Sequence, residues 1–212
     1  DVALIGPDYL VGHAHADTLS FELSVSARRV VVNGGTSCYG LSAQRLRERG
    51  TAAHSTVEVA GQYSSEVWSG FRVGRRARPM DLKLQGTRIS CAHDGYRHLP
   101  GAPLHHRTWE LVDGALQVED HLHPAGQAAV ARYPLAPGLH LQAEGSGAWS
   151  VRAGAELIAH VEVQAGQARA VASQHAPRFG VIVATETLEV TLQEGVAATR
   201  WSWNRDAHPL PR

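Results

Sequence analysis

The sequence predicts an all-β protein, an antiparallel two-sheet β-sandwich of roughly a dozen or more strands with one short helix. Apolar and polar residues alternate with a period of two in many short segments, which is typical of strands with one buried face. Gly, Pro, Asp and Asn separate these segments, and almost none keeps the 3.6-residue period of a helix. So many short strands favour two packed sheets over one open sheet.

The predicted strands follow one another along the whole chain. The clearest is residues 18–26, where apolar residues at odd positions alternate with mostly polar ones. Residues 106–112 and 115–122 flank Asp113-Gly114, a two-residue signal of a β-hairpin. The other predicted strands are residues 28–32, 55–60, 66–73, 87–92, 139–143, 148–153, 156–163, 179–187 and 199–203.

One short helix is predicted at residues 43–48, with Ser42 as its N-cap and Gly50 just past its end. No linker, low-complexity segment or internal repeat divides the chain, so residues 1–212 are predicted to form one domain.

The composition excludes several classes of protein. Basic and acidic residues balance at 20 each, which argues against nucleic-acid binding and a polybasic membrane anchor. No apolar stretch reaches the length of a membrane-spanning helix, and the N-terminus has no signal-peptide pattern. The only cysteines, Cys38 and Cys91, cannot form a disulfide framework, and either one bridge or two free thiols is open.

The chemistry-bearing residues cluster just before the first predicted strand. His13, His15 and Asp17 share odd positions with its apolar residues, so a regular strand from residue 13 would place them all on one face. A polar cluster in line with core residues needs a metal ion, a hydrogen-bond network, or a cleft filled by substrate and water. The alternative is that the strand starts near residue 18 and residues 12–16 form a solvated loop without a function.

Four strings in a fixed order resemble the C-terminal domain of the heparinase II/III family. Four ordered motifs are far more specific than one H-x-H pair, although they cover only about the first 80 residues. The strings are GHAHADTLSF at 12–21, VVNGGTSCYG at 31–40, RERGTAAHSTVEVAG at 47–61 and EVWSGFRVGRRARP at 66–79.

The resemblance implies a bacterial, periplasmic or secreted polysaccharide lyase that acts on an anionic, uronate-containing polysaccharide. Members of the family place an α/α toroid before the β-sandwich, with the active site between the two. The toroid is absent from this chain, which begins like mid-protein sequence, so we expect the isolated domain to be inactive. Which polysaccharide is cut, whether cleavage is internal or terminal, and the oligomeric state are left open.

The resemblance also assigns a catalytic residue and a structural zinc site. The first histidine of H-x-H, which lies in the catalytic cleft of the family, matches His13. The zinc ligands match His15, Asn33 and His54. The chain departs from the family at Asn33, where Asp is usual, and an amide oxygen brings no negative charge to a dication. Asp17 is a candidate for the substitute charge.

β-Elimination at a uronate removes the C5 proton, neutralises the carboxylate and protonates the leaving oxygen. A histidine suits the proton steps, so His13 is the predicted acid or base, and Tyr39 in a turn-like segment is a candidate to reach the cleft. Arg72 and Arg107 are candidates to bind the carboxylate, and Trp68 to stack on a sugar ring. The alternatives for these three residues are a solvated strand face or the core.

Two other functions fit the same residues. One is a non-catalytic carbohydrate-binding or structural sandwich, in which the histidines form only a structural network. The other is a metal-dependent hydrolase that uses a zinc-bound water.

Overall fold

The computed structural model describes residues 1–7, 9 and 11–204. Within them lie sixteen strands, one α-helix and one short 3-10 helix at Thr51–Ala53. The helix α1 is Ala43–Arg49. The strands are β1 Leu23–Val25, β2 Arg28–Val31, β3 Val57–Val59, β4 Val67–Trp68, β5 Arg72–Val73, β6 Pro79–Gln85, β7 Arg88–His93, β8 Leu104–Val112, β9 Ala115–His123, β10 Ala129–Pro134, β11 His140–Gly145, β12 Ala148–Ala153, β13 Glu156–Ala165, β14 Gln167–Arg178, β15 Val181–Thr191 and β16 Val196–Ser202.

The strands form two main antiparallel sheets, which confirms the predicted β-sandwich. The large sheet has eight strands in the order β11-β12-β13-β16-β9-β8-β7-β6, and the small sheet has four in the order β14-β15-β10-β3. One apolar cluster joins them, and in it Tyr133 of β10 packs on Trp201 of β16 with ring centroids 5.4 Å apart. Two separate hairpins, β1-β2 and β4-β5, complete the fold.

Helix α1 and the β8-β9 hairpin confirm the local sequence signals. The Ser42 hydroxyl accepts a hydrogen bond from the Arg45 amide at 3.0 Å, as an N-cap should. Val112 pairs directly with Ala115, so Asp113 and Gly114 form the two-residue turn.

The strand predicted at residues 18–26 is mostly wrong. Only Leu23–Val25 is a strand, and Leu19 has a left-handed φ of +64°. Thr18, Leu19 and Ser20 are all buried, so no alternating face exists. His13 and His15 therefore lie in a loop, as in the alternative interpretation.

Other differences arise from pairing that the local sequence does not encode. The strand predicted at residues 66–73 is two short strands, β4 and β5, joined by a turn. Strands β6, β10 and β14 were not predicted from the pattern.

Cys38 and Cys91 are both free thiols. Within the described part of the chain, no helix is long and apolar enough to cross a membrane.

Candidate active site

The loop that carries the two histidines is held by side chains instead of a strand partner. A backbone carbonyl that lacks a ladder partner needs another donor, and hydroxyl and guanidinium groups supply it here. The bonds run from Arg49 Nε to Ala14 (3.0 Å), from Thr51 Oγ1 to Ala16 (2.8 Å), from Thr56 Oγ1 to Thr18 (2.8 Å) and from Arg107 Nη1 to Leu19 (2.9 Å). Irregular backbone is thus fixed in one conformation beneath the histidines.

Arg107 anchors this loop to the large sheet and is not available to a substrate. Its guanidinium is fully buried and bonds both oxygens of Asp120, at 2.7 and 2.9 Å. Burial alone would raise the pKa of Asp120, but the charge of Arg107 and the hydrogen bond from His105 lower it to about 2. The substrate-binding role predicted for Arg107 does not fit this position.

A chain of hydrogen bonds continues from Asp120 through two buried histidines. The Gly95 amide donates to His93 Nδ1 at 3.0 Å, so the proton of His93 is on Nε2. His93 Nε2 then donates to His105 Nδ1 at 3.1 Å, and His105 Nε2 donates to Asp120 at 2.7 Å. Burial lowers the pKa of both imidazoles, so both are neutral.

Arg45 of α1 determines the state of His15. Its Nη1 lies 3.3 Å from both His15 Nε2 and Thr36 Oγ1, and its Nε donates to the Gly70 carbonyl at 3.3 Å. Since a guanidinium only donates, His15 Nε2 accepts and the ring is neutral. Burial, the neighbouring His54 and the charge of Arg45 lower the pKa of His15 to about 3.

The structure brings His15 and His54 together, with ring centroids 5.1 Å apart. His54 is buried, and neither of its ring nitrogens makes a hydrogen bond of good geometry with a described residue. Burial lowers its pKa to about 4, only partly offset by the Glu48 backbone. The imidazole is therefore neutral and able to bind a metal.

Asn33 lies on the chain segment next to His54. Its neighbour Gly34 donates to the Ala53 carbonyl at 3.0 Å, and its buried Oδ1 has no partner among the described residues. Two neutral imidazoles and an amide oxygen suit zinc in their chemical type, so the residues present fit the ion once His15 Nε2 exchanges its hydrogen bond from Arg45 for the metal. No anionic ligand joins them, because the described residues contain no metal-binding group of three His, Cys, Asp or Glu.

His13 and Tyr39 also lie together, at the surface. The tyrosine hydroxyl is 3.4 Å from His13 Nδ1, and the rings meet edge to face at 5.3 Å. The buried guanidinium of Arg45 lies 5.1 Å from the centre of the Tyr39 ring. His13 lines a cavity of about 610 Å³, which His15 and Asp17 also line. Burial raises the pKa of Asp17.

Trp68 and Arg72 lie at the end of the β4-β5 hairpin. Both are exposed, and the Arg72 guanidinium lies 5.1 Å from the centre of the Trp68 ring. Arg49 fixes the hairpin through the carbonyls of Trp68, Ser69 and Arg72, at 3.2 to 3.5 Å. These two predicted substrate-binding residues remain accessible.

Sequence reasoning missed three contributors to the site. Arg45 and Arg49 sit on α1, where a basic residue signals only a solvated helix face. Phe179 packs on Tyr39 with ring centroids 5.1 Å apart, although the two are far apart in sequence. No local signal identifies such a contact.

Comparison with known proteins identifies the family to which the chain belongs. The family model described as heparinase II/III-like, C-terminal, matches residues 1–204. A solved heparinase III is similar in fold, with a TM-score of 0.64 at 11% identity, covering 89% of this chain and 30% of that one. The heparan sulfate lyase HepC from Pedobacter heparinus gives 0.59 at 14% identity, covering 90% and 31%. No curated protein matches in sequence.

This chain thus spans about 30% of the length of those structures, and the match to residues 1–204 covers nearly all of it. The chain belongs to the heparinase II/III-like family and corresponds to its C-terminal domain.

Proposed function

We propose that the chain is the β-sandwich part of a polysaccharide lyase that cleaves an anionic, uronate-containing polysaccharide by β-elimination. The observation that carries the proposal is the exposed pair of His13 and Tyr39, with Nδ1 and hydroxyl 3.4 Å apart beside a cavity. Family membership supports the reaction class, and HepC, a heparan sulfate lyase, makes that polysaccharide the first substrate to test.

The pair supplies both proton transfers of the elimination. One member takes the C5 proton as that C–H bond breaks and the C4–C5 double bond forms. The other gives a proton to O4 as the C4–O4 bond breaks. Because His13 and Tyr39 share a hydrogen bond, a proton can pass between them and restore the starting state.

Binding of the polymer falls to exposed groups beside the pair. Arg72 offers a planar guanidinium to a uronate carboxylate, and the exposed Trp68 offers an apolar face to a sugar ring. Because the chain spans only about 30% of the solved heparinases, we propose that an N-terminal toroid completes the cleft.

We also propose that His15, His54 and Asn33 hold a zinc ion. Bound there, the ion would have a structural role and tie the histidine loop to the segments around Asn33 and His54. It takes no part in the proton transfers assigned to His13 and Tyr39.

The test uses the full-length protein that contains this chain, with heparan sulfate as substrate. We expect His13→Ala and Tyr39→Phe each to lower kcat by about 100-fold or more, which is typical for a lost proton-transfer group. The ultraviolet absorbance of the unsaturated product measures the rate of elimination. Both side chains are exposed, so the unfolding midpoint should stay within about 1 °C of the native protein's.

His140→Ala, a change at another exposed histidine, is the matched control and should keep full activity. New reducing ends without ultraviolet absorbance would indicate hydrolysis and contradict the lyase assignment. Unchanged turnover in His13→Ala would remove the proposed pair.

A further inference from the structure

Aromatic side chains from separate turns surround Tyr39 at the surface. The ring of Phe71 lies 5.7 Å away, in the turn between β4 and β5, and that of Phe179 lies 5.1 Å away, between β14 and β15. The exposed fractions are 46% for Tyr39, 45% for Phe71 and 61% for Phe179. Phe71 and Phe179 each contact Tyr39, and all three rings keep a large exposed area.

Backbone contacts fix the approach of the turns. The Gly180 amide donates to the Ser37 carbonyl at 2.8 Å, which holds the β14-β15 turn against the segment of Tyr39. Gly70 approaches the same segment so closely that a Cβ there would lie 2.6 Å from the Gly40 carbonyl oxygen. These backbone contacts therefore hold the three turns together.

The chemistry of this surface suits a sugar better than a protein partner. The His13 imidazole and the Tyr39 hydroxyl lie among the rings, and a dry protein contact would bury these polar atoms. A pyranose ring has an apolar face for stacking and hydroxyls for the polar atoms. The exposed Arg72 and Arg178 are the sequence neighbours of Phe71 and Phe179 and add positive charge to these turns, which complements a uronate.

We propose that Tyr39, Phe71 and Phe179, here called the aromatic platform, bind a ring of a uronate-containing oligosaccharide next to His13. The assignment rests on the proposed function, because it places a neighbouring ring of the same polymer beside the cleaved bond. Phe179 determines how tightly that ring is held, since it is the most exposed member.

The test measures steady-state kinetics of the full-length protein on heparan sulfate and on an unsulfated uronate tetrasaccharide. Phe179→Ala should raise KM by about tenfold, as expected for the loss of one aromatic stacking contact, and change kcat much less. Phe71→Ala should act in the same direction, and Phe179→Trp should restore a KM near that of the native protein. Leu84→Ala removes an apolar side chain that is 69% exposed on β6, and it should change nothing.

The outcomes separate the platform from the proposed function. Unchanged KM in both alanine variants, with turnover intact, overturns the platform and leaves the lyase assignment standing. If the alanine variants have a lowered unfolding midpoint and an unchanged KM, the rings pack against the toroid. That result also overturns the platform. If the native protein forms no unsaturated product, the proposed function fails. Calorimetric titration with the tetrasaccharide then tests the aromatic platform. Weaker binding by Phe179→Ala than by the native protein supports it. Equal binding by the two proteins, or no binding by the native protein, overturns it.

Discussion

At the scale of single residues, His54 and Asn33 stand out because buried polar atoms normally find partners. Both ring nitrogens of His54 and the Oδ1 of Asn33 have none of good geometry among the described residues. Leaving such atoms unbonded costs about 1 to 3 kcal/mol each. A bound cation would take one ring nitrogen of His54 and the Oδ1 of Asn33 and so remove part of that cost, which favours the proposed zinc ion.

Asn33→Asp is expected to strengthen zinc binding on the order of tenfold or more, because the carboxylate adds the anionic ligand that the site lacks. Zinc content by elemental analysis, and the unfolding midpoint with and without a chelator, measure the effect. His54→Gln is the matched loss-of-site variant and should show no response to the chelator. Absence of zinc from both the native and the Asn33→Asp proteins would count against the site.

Sequence motifs predicted the pairs of the site better than its surroundings. The motif strings single out His13 and Tyr39, and likewise His15 and His54, and the structure brings each pair together. Arg107, a candidate for substrate binding from the sequence, is fully buried, in keeping with the strand parity that it shares with Trp109. Apart from this parity, no local pattern in the sequence indicates that Arg107 is buried against Asp120.

At the scale of elements, α1 connects the histidine loop to the β4-β5 hairpin through its last residue. Arg49 is fully buried and donates to carbonyls of both, including Ala14 at 3.0 Å and Arg72 at 3.2 Å. A guanidinium has five N–H donors on three separate nitrogens, whereas an ammonium has three donors on one nitrogen.

Arg49→Lys should therefore lower the free energy of unfolding by about 2 to 3 kcal/mol, since several buried carbonyls lose their donor while a charge stays buried. Urea denaturation measures this change. Arg47→Lys, on the exposed side of the same helix, is the control and should stay within about 0.5 kcal/mol. Equal losses in the two variants would mean that Arg49 does not hold the loop.

The helix and the β8-β9 hairpin were predictable because a cap and a two-residue turn are local signals. Strand β14 was not, since Gln167–Arg178 is rich in Ala, Arg and Gln and depends on its long pairing with β15. A strand through the histidine loop is one of the two structures that the sequence allows, because His13, His15 and Asp17 share odd positions with the apolar residues after them. In the structure the carbonyls of the loop instead bind side chains from residues 49–56 and from Arg107. Only tertiary structure reveals such bonds.

At the scale of the whole molecule, one polar network runs from the large sheet to the loop. It passes from His93 through His105 and Asp120 to Arg107, and from there to the Leu19 carbonyl. Every one of these side chains is fully buried. The stability of such a network depends on pH, because burial lowers the pKa of both histidines in the folded chain relative to the unfolded chain.

We expect the free energy of unfolding to fall as pH drops below about 6.5, the ordinary imidazole pKa. His93 and His105 have lowered pKa values in the folded chain, so the unfolded chain binds more protons. A fall in pH therefore stabilises the unfolded chain relative to the folded chain. Asp120, with its pKa of about 2, adds a second loss only between about pH 4 and 2. Denaturant unfolding at a series of pH values gives the slope.

His93→Gln can keep both hydrogen bonds but removes one titrating group. Its slope below pH 6.5 should be shallower by up to about 1.4 kcal/mol per pH unit, the contribution of one proton. His160→Gln, at an exposed histidine, is the control for the His→Gln change itself. A slope identical to that of the native protein in His93→Gln would show that His93 is already charged when folded.

The meeting of the three turns at Tyr39 has a consequence for how such proteins diversify. The turns around residues 39, 70 and 179 contribute little to the core, which lies between the sheets. Their lengths and tips can change over evolution without disturbing the sandwich. On the proposed function, a few insertions or substitutions in these turns would therefore change the preference for a polymer, while the histidine loop keeps its shape.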